Sequence, residues 1–333
     1  MADYYTRMQQ AIDYIESRLT EDLKIADVAA RAHCSAFHFQ RLFQAITGFS
    51  VQGYVRKRRL SEAAGLLRSS QKGILDVAVE YGYGSQEAFT RAFSSFFGMT
   101  PAQYRKSEGG GMMQGKVDFH EWRSRASEEG RAWEFHKPTI ETRQNVTIIG
   151  YAYKTSLEEE RYYHDIPEFY RAFGAEGKYL RIPYRRAPDL AYGISCGFED
   201  DGTFLFVVGE EVEDVWGDEG QADGSFGQDT VGRGATAERY AASDTATEGA
   251  DACDETKALD EGFVRMTLPA GTYAHFRAHG SVDFVQDTRR FIYRSWLPNS
   301  NYERAEGPDF EVTDVRSSRY PDMLRIDIYI PLK

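Results

Sequence analysis

Through its first hundred residues the chain repeats apolar side chains at steps of three and four, the spacing of one helical face. Met8, Ala11, Ile12, Ile15 and Leu19 mark a first helix within residues 4–19. Ile25, Val28 and Ala29 mark a second, and TEDL at residues 20–23 supplies a starting signal between them. Two later stretches, SAFHFQRLFQAITGFSVQGY from Ser35 and SQEAFTRAFSSFFGMTPAQY from Ser85, lie fifty positions apart. They match at Ser35/Ser85, Phe39/Phe89, Arg41/Arg91, Phe43/Phe93, Gly48/Gly98 and Tyr54/Tyr104. In each, the serine stands where an N-cap belongs and the glycine where a helix closes, which predicts a helix of about three turns.

On a helical period Phe39, Phe43 and Ile46 share one face of the first copy, and Phe89, Phe93 and Phe96 one face of the second. Arg41 and Arg91 lie two positions beyond a core phenylalanine, about 200° around the helix, so burying the rings turns the guanidinium groups outward. Gln40 and Gln86 lie towards the same outer side. Arginine and glutamine make the commonest bidentate contacts to guanine and adenine in the major groove. A shorter helix and a tight turn precede each copy, giving a helix-turn-helix plan twice. The 19 residues VQGYVRKRRLSEAAGLLRS between the units read as one helix. Such a helix is about 30 Å long, close to the roughly 34 Å between successive major-groove faces. Its cluster Arg56, Lys57, Arg58 and Arg59 is expected to add phosphate contacts, with Arg56 and Arg58 the strongest candidates.

The texture changes after SEGGGMMQG at residues 107–115, a glycine-rich connection. NVTIIGYAYKT, LAYGISCGF and TFLFVVGEEV read as strands around the helix DIPEFYRAFGAE. A second round follows: FVRMTLPAGTYAHFRAHG, the helical VDFVQDTRRFIYRSWL, then DFEVTD and MLRIDIYIPL. The expected fold is therefore an all-α double helix-turn-helix domain at 1–107, a linker at 108–116, and an α+β domain at 117–333. The latter has two β-α-β-β halves, either sharing one sheet or enclosing a cleft. An acidic, low-complexity insertion at about 217–261 lacks the apolar residues to build a core.

Charge divides the chain at the same place. Residues 1–107 hold 14 Lys plus Arg against 10 Asp plus Glu, and the remainder 26 against 42, for an overall −12. A basic first part attached to an acidic body points to one region that meets a polyanion and one that does not. Cys34, Cys196 and Cys253 are far apart and read as reduced thiols, and no run approaches a membrane span, so a cytoplasmic protein is expected. His275 and His279 share one side of a strand without further ligands at metal spacing, and no phosphate loop or hydrolase elbow occurs; neither metal nor cofactor is expected. Glu311, between Phe310 and Val312, alternates onto the strand face that those neighbours leave. Aromatic side chains crowd the predicted strands, and Tyr192, Trp296 and Tyr302 are candidates to face a planar or cationic ligand beside Glu311.

Residues 4–106 resemble the DNA-binding domain of the AraC/XylS family of bacterial transcription regulators, most closely in AVEYGYGSQEAFTRAFSSFFGMTPAQYR. The resemblance implies base contacts from Phe37, Gln40 and Arg41 in the first unit and from Gln86, Glu87, Ala88 and Arg91 in the second. Glu87 stands where relatives have glutamine, and Ala88 where they have threonine; an acidic side chain there repels phosphate and accepts from cytosine, so the second half-site is read differently. Residues 117–333 resemble the GyrI-like effector-binding domain through TLPAGTYAHFR, YRSWLPNSNYERAEGPDFEVTD and IDIYIPLK. That resemblance implies a pocket in which the glutamate matching Glu311 meets cationic drugs. The expected partners are double-stranded DNA, a small-molecule effector and RNA polymerase, with no membrane. The alternatives are a hydrolase or drug-binding protein of the GyrI-like kind, and a DNA-binding protein whose second domain recruits a protein partner.

Overall fold

The computed structural model describes residues 4–107, 112–123, 137–213, 257–258 and 263–333. Helices fill the first part: α1 (Tyr4–Glu16), α2 (Ile25–Arg31), α3 (Ala36–Thr47), α4 (Val51–Ser69), α5 (Ile74–Glu80), α6 (Gln86–Phe97) and α7 (Pro101–Lys106). The repeated caps form as expected. Ser35 Oγ accepts from His38 N and Ser85 Oγ from Ala88 N, while Gly48 and Gly98 close their helices at φ 76° and 72°, where a side chain would be strained. The connector α4 is a single 19-residue helix. Two local expectations shift. TEDL lies in a turn, because α2 starts only at Ile25 with Lys24 as an N-cap lacking a side-chain bond. Phe97 rather than Phe96 is buried on α6, since its ring packs 4.5 Å from Phe93 and 4.9 Å from Tyr104.

Among the described residues the second part forms a nine-stranded antiparallel sheet. Its strands are β1 (Thr139–Arg143), β2 (Val146–Ser156), β3 (Leu190–Cys196), β4 (Thr203–Glu211), β5 (Lys257–Ala258), β6 (Phe263–Leu268), β7 (Gly271–Gly280), β8 (Asp309–Asp314) and β9 (Leu324–Leu332), in the order β1-β7-β9-β8-β3-β4-β2-β6-β5. The two halves share this one sheet: β7-β9-β8 and β3-β4-β2 meet through β8 and β3, where Gly193 pairs with Glu311. Helices α8 (Tyr162–Ala175) and α9 (Val282–Phe291) follow the first strand of each half. A π-helical turn, Ile292–Trp296, extends α9. The edge strand β1 was not expected, because its TIETR sequence lacks an apolar face. Of the expected acidic insertion only the two residues of β5 are described; the rest lies outside the described residues.

The apolar cores cut across the charge boundary. The second helix-turn-helix unit has its own core of Leu60, Ala63, Leu67, Val77, Phe89, Phe93, Phe97 and Tyr104. The first unit instead shares one continuous core with the sheet, in which Met8, Ile12, Phe39, Phe43 and Tyr54 join Phe276, Ile292, Tyr293, Leu297, Ile328 and Ile330. Residues 112–119 run along this joint, with Gln114 N donating to Ser61 Oγ, Val117 N to the Tyr54 hydroxyl and Phe119 N to Gln9 Oε1.

Candidate functional site

The outer face of α6 stands in solvent. Gln86, Glu87 and Arg91 are exposed and Ala88 is half-buried, while Phe89 and Phe93 on the opposite side are fully buried. Its own backbone N–H, and then the Ser85 hydroxyl, hold the Glu87 carboxyl below its ordinary range, as the positive end of a helix favours. The four side chains lie on one rigid, capped helix behind α5 and a turn.

The equivalent face of α3 is covered. Phe37, Gln40 and Arg41 do turn away from Phe39 and Phe43, but they meet the second part of the chain instead of water. The Phe37 ring lies edge-on to Phe198 at 4.6 Å, with the Arg304 guanidinium 4.5 Å over it. Gln40 is 2% exposed and donates to the Glu199 carbonyl at 3.2 Å; one turn on, Gln44 donates to the Leu157 carbonyl at 3.0 Å. The Arg41 guanidinium sits 3.7 Å from Asp309 and 5.2 Å from the centre of the Tyr293 ring. The expectation that Gln40 and Arg41 reach solvent is therefore corrected: a helical period fixes which face leaves its own core, not what that face then meets.

The basic cluster on α4 is corrected as well. Arg58 is buried and donates to Glu16, Glu62 and the Gln114 carbonyl, so it is not available to a phosphate. Arg59 donates to the carbonyls of Leu19 and Glu21, and the Lys57 ammonium lies 4.1 Å over the Phe49 ring. Arg56 is exposed, paired with Glu158 of the second part.

Glu311 borders a cavity of about 40 Å³ at the junction of the two halves, between the sheet and the helices above it. It is 6% exposed, and alternation along β8 puts Asp309 on the same side, while Phe310 and Val312 join the core of the opposite face. Each carboxylate holds an arginine from a different helix. The Arg289 guanidinium of α9 donates to Glu311, and Arg41 of α3 pairs with Asp309. The Tyr170 hydroxyl donates to Glu311 at 3.3 Å, and burial, then the Glu311 charge, push its own pKa well above the ordinary value. Asp309 also accepts from Arg304 at 2.8 and 3.1 Å and from the Tyr293 hydroxyl. Burial pushes its carboxyl up to about 7, against the pull of Arg41. Gly193 makes the arrangement possible: a Cβ there would meet the Tyr170 hydroxyl, Phe206 Cζ at 2.8 Å and Glu311 Cγ at 2.9 Å. A cleft of about 220 Å³ opens next to the cavity and shares Arg41, Tyr162, Arg289 and Tyr293 with it.

Of the aromatic side chains expected beside Glu311, none lines the cavity. Tyr192 precedes Gly193 and so points through the opposite face of the sheet, where it stacks with Phe310 and donates to Glu211. Trp296 and Tyr302 stack on one another, with Trp296 edge-on to Phe276 and Tyr302 exposed. The aromatic and charged lining comes instead from Tyr162, Phe206, Arg289, Tyr293 and Asp309. Asp309 was within reach of the sequence, because the alternation that places Glu311 also places a residue two positions before it. His275 stacks on Tyr329 at 4.8 Å, and His279 lies 3.2 Å from Asp327.

A helix-turn-helix domain model matches residues 28–107, and a GyrI-like small molecule binding domain model matches residues 136–333. The chain is 27% identical over 335 residues to the right origin-binding protein of Escherichia coli, covering 96% of each. It is also 27% identical over 336 residues to the transcriptional regulator Rob of Salmonella typhimurium, again covering 96% of each. The Tn10 TetD protein of Escherichia coli is 40% identical over 103 residues, which cover 31% of this chain and 75% of that one.

Proposed function

Because the chain belongs to the GyrI-like small molecule binding family and carries an AraC-type helix-turn-helix domain ahead of it, we propose that α6 reads a major groove through Gln86, Glu87 and Arg91. On the same reading, the cavity at Glu311 senses a small hydrophobic cation. Of the full-length relatives, that of Salmonella typhimurium is named as a transcriptional regulator and that of Escherichia coli as an origin-binding protein, and this chain is a transcription regulator with a DNA-binding and a small-molecule-binding part. The observation that carries the DNA side is the capped α6, whose outer face alone of the two repeated helices is open. A buried strand carboxylate whose present partner is a guanidinium supports the cation side: the site already favours a flat, delocalised positive charge against aromatic rings. RNA polymerase is the protein partner that such a regulator needs at a promoter.

The hydrolase alternative has less support, since Glu311 is engaged by Arg289 and Tyr170 rather than poised over a nucleophile. The test of the DNA reading is selection of a preferred duplex from random sequence, followed by Arg91→Ala. The substitution is expected to cost about 1–3 kcal/mol on the selected site and to relax preference at one or two base positions. An equal loss on random DNA would show that Arg91 contacts phosphate only.

A further inference from the structure

We propose that the effector domain holds the first reading helix shut, and that a cationic effector opens it by taking the place of Arg41 at Asp309. This rests on the regulator reading above and adds how its two sites are linked.

The two repeated helices are built alike and stand in opposite states. On α6 the outward residues are in solvent; on α3 Phe37 and Gln40 are 5% and 2% exposed. No base edge can reach side chains covered to that extent, so in this conformation the chain offers DNA one reading helix. Besides the core that α3 shares with Ile292, Tyr293 and Leu297, the effector domain covers the outer face of α3 at three points. Phe198 and Glu199 in the β3–β4 turn hold Phe37 and Gln40, Leu157 after β2 holds Gln44, and Asp309 on the cavity wall holds Arg41. The last contact makes the cover responsive. Arg41 borders both the cavity and the adjoining cleft, so a ligand cation that approaches Asp309 and Glu311 meets the guanidinium of the reading helix there. The cavity as it stands has room for little more than a water molecule or two. A drug-sized cation therefore fits only after an arginine has moved out, and where that arginine is Arg41, carried by the reading helix, binding becomes exclusive of the closed state.

Release leaves no charge stranded. Asp309 keeps both bonds from Arg304 and the Tyr293 hydroxyl when Arg41 departs. The Glu199 carbonyl belongs to an exposed residue and rehydrates once Gln40 leaves. Arg41 exchanges a carboxylate for a phosphate or a guanine edge. Two states whose charged groups keep partners in both can lie close enough in free energy for a ligand to shift them. Reciprocity then requires that a duplex long enough for both helices tighten cation binding by the same factor.

The test uses the full-length protein, a duplex selected for it, hydroxyl-radical footprinting, and tetraphenylphosphonium as the cation, with triphenylphosphine oxide as its neutral counterpart. The wild type alone is expected to protect one major groove. Phe198→Ala, which removes the cover of Phe37 from outside the cavity, and Asp309→Asn, which removes the partner of Arg41, are each expected to protect two adjacent grooves. They should also bind about ten- to a hundredfold tighter. Tetraphenylphosphonium should convert the wild type in the same way, and the phosphine oxide should not. Melting curves report whether each variant folds, and Phe198→Ala decides alone if Asp309→Asn does not. Identical footprints and affinities for the wild type and a folded Phe198→Ala overturn the latch while leaving DNA reading by α6 intact. A protein that binds no duplex in any of these states overturns both readings.

Discussion

Replacing Arg289 with methionine tests directly whether the cavity is built around a positive charge. The guanidinium is the cationic partner of Glu311, and the two side chains are 25% and 8% exposed. Methionine keeps the apolar stem and removes the charge, leaving Glu311 with the Tyr170 hydroxyl. Removing one member of a fully buried pair costs about 3–5 kcal/mol. With Arg289 a quarter exposed, water shares in the solvation, and about 2–3 kcal/mol is the expected loss. In a body of this size each kcal/mol lowers the melting temperature by about 2–4 °C, so a fall of roughly 5–10 °C is expected. A cation that occupies the vacated place at a hundred times its Kd returns about 2.7 kcal/mol. Scanning fluorimetry of Arg289→Met with tetraphenylphosphonium should therefore recover most of the lost temperature, and triphenylphosphine oxide should recover little. The double variant Arg289→Met, Glu311→Gln removes both charges and should melt above Arg289→Met alone, because the stranded carboxylate is gone. Refutation would come from a single variant that melts like the wild type, or from equal rescue by charged and neutral compounds. Either result would mean that Glu311 does not carry an uncompensated charge once Arg289 is removed.

Gly193→Ala puts a methyl group against the Tyr170 hydroxyl and Glu311 Cγ, and is expected to cost about 1–3 kcal/mol and to weaken cation binding in calorimetry; an unchanged melting temperature would show that the strand can shift to make room. Arg58→Met strands Glu16, which is 14% exposed, and should cost about 2–3 kcal/mol while leaving the salt slope of DNA binding unchanged; a flatter slope would return Arg58 to the phosphate contacts. Asp309 gives a pH dependence whose sign is fixed by its raised carboxyl pKa. The stability this group lends is fully present below the unfolded value near 4, falls as pH rises, and is lost above about 7. Among Arg41, Arg304 and Tyr293 around it, protonation weakens the hold on Arg41, so two-groove protection should increase from pH 8 to pH 6. Asp309→Asn should abolish that trend, and a trend that persists in the variant would assign it to another group.

Features that act within one turn or one strand were legible in the sequence. Ser35, Ser85, Gly48 and Gly98 cap their helices through contacts to residues three or four positions away, so their meaning does not depend on the rest of the fold. The longer strands and their succession along the chain, and the side of β8 that Glu311 takes relative to Phe310 and Val312, follow from local pattern in the same way, whereas the edge strand β1 and the order of strands within the sheet do not. The cover over α3 was not legible, because SAFHFQRLF contains nothing that distinguishes a face turned to water from one turned to another part of the chain. Tyr192 was misplaced for want of register: only the pairing of Gly193 with Glu311 tells which face of β3 the cavity occupies. The arginines on α4 carried a warning that composition hides. Four consecutive helical positions sweep about 300°, so a run such as Arg56–Arg59 cannot present every charge to one polyanion, and a residue on it must face the protein.

The helix α4 belongs to two cores at once. Val51, Tyr54 and Val55 are buried with the first unit and the sheet, whereas Leu60, Ala63, Ala64 and Leu67 are buried with the second unit. Arg58 and Arg59, tied to α1 and the turn after it, lie at the seam. Cooperative unfolding follows cores rather than helices, so native-state hydrogen exchange should divide this one uninterrupted helix into two levels of protection, with the step between Val55 and Leu60. The distance between the two reading helices is then a mechanical property of that short seam. Stiffening or loosening a single turn of α4 would tune the spacing of half-sites the regulator accepts without altering any residue that touches a base.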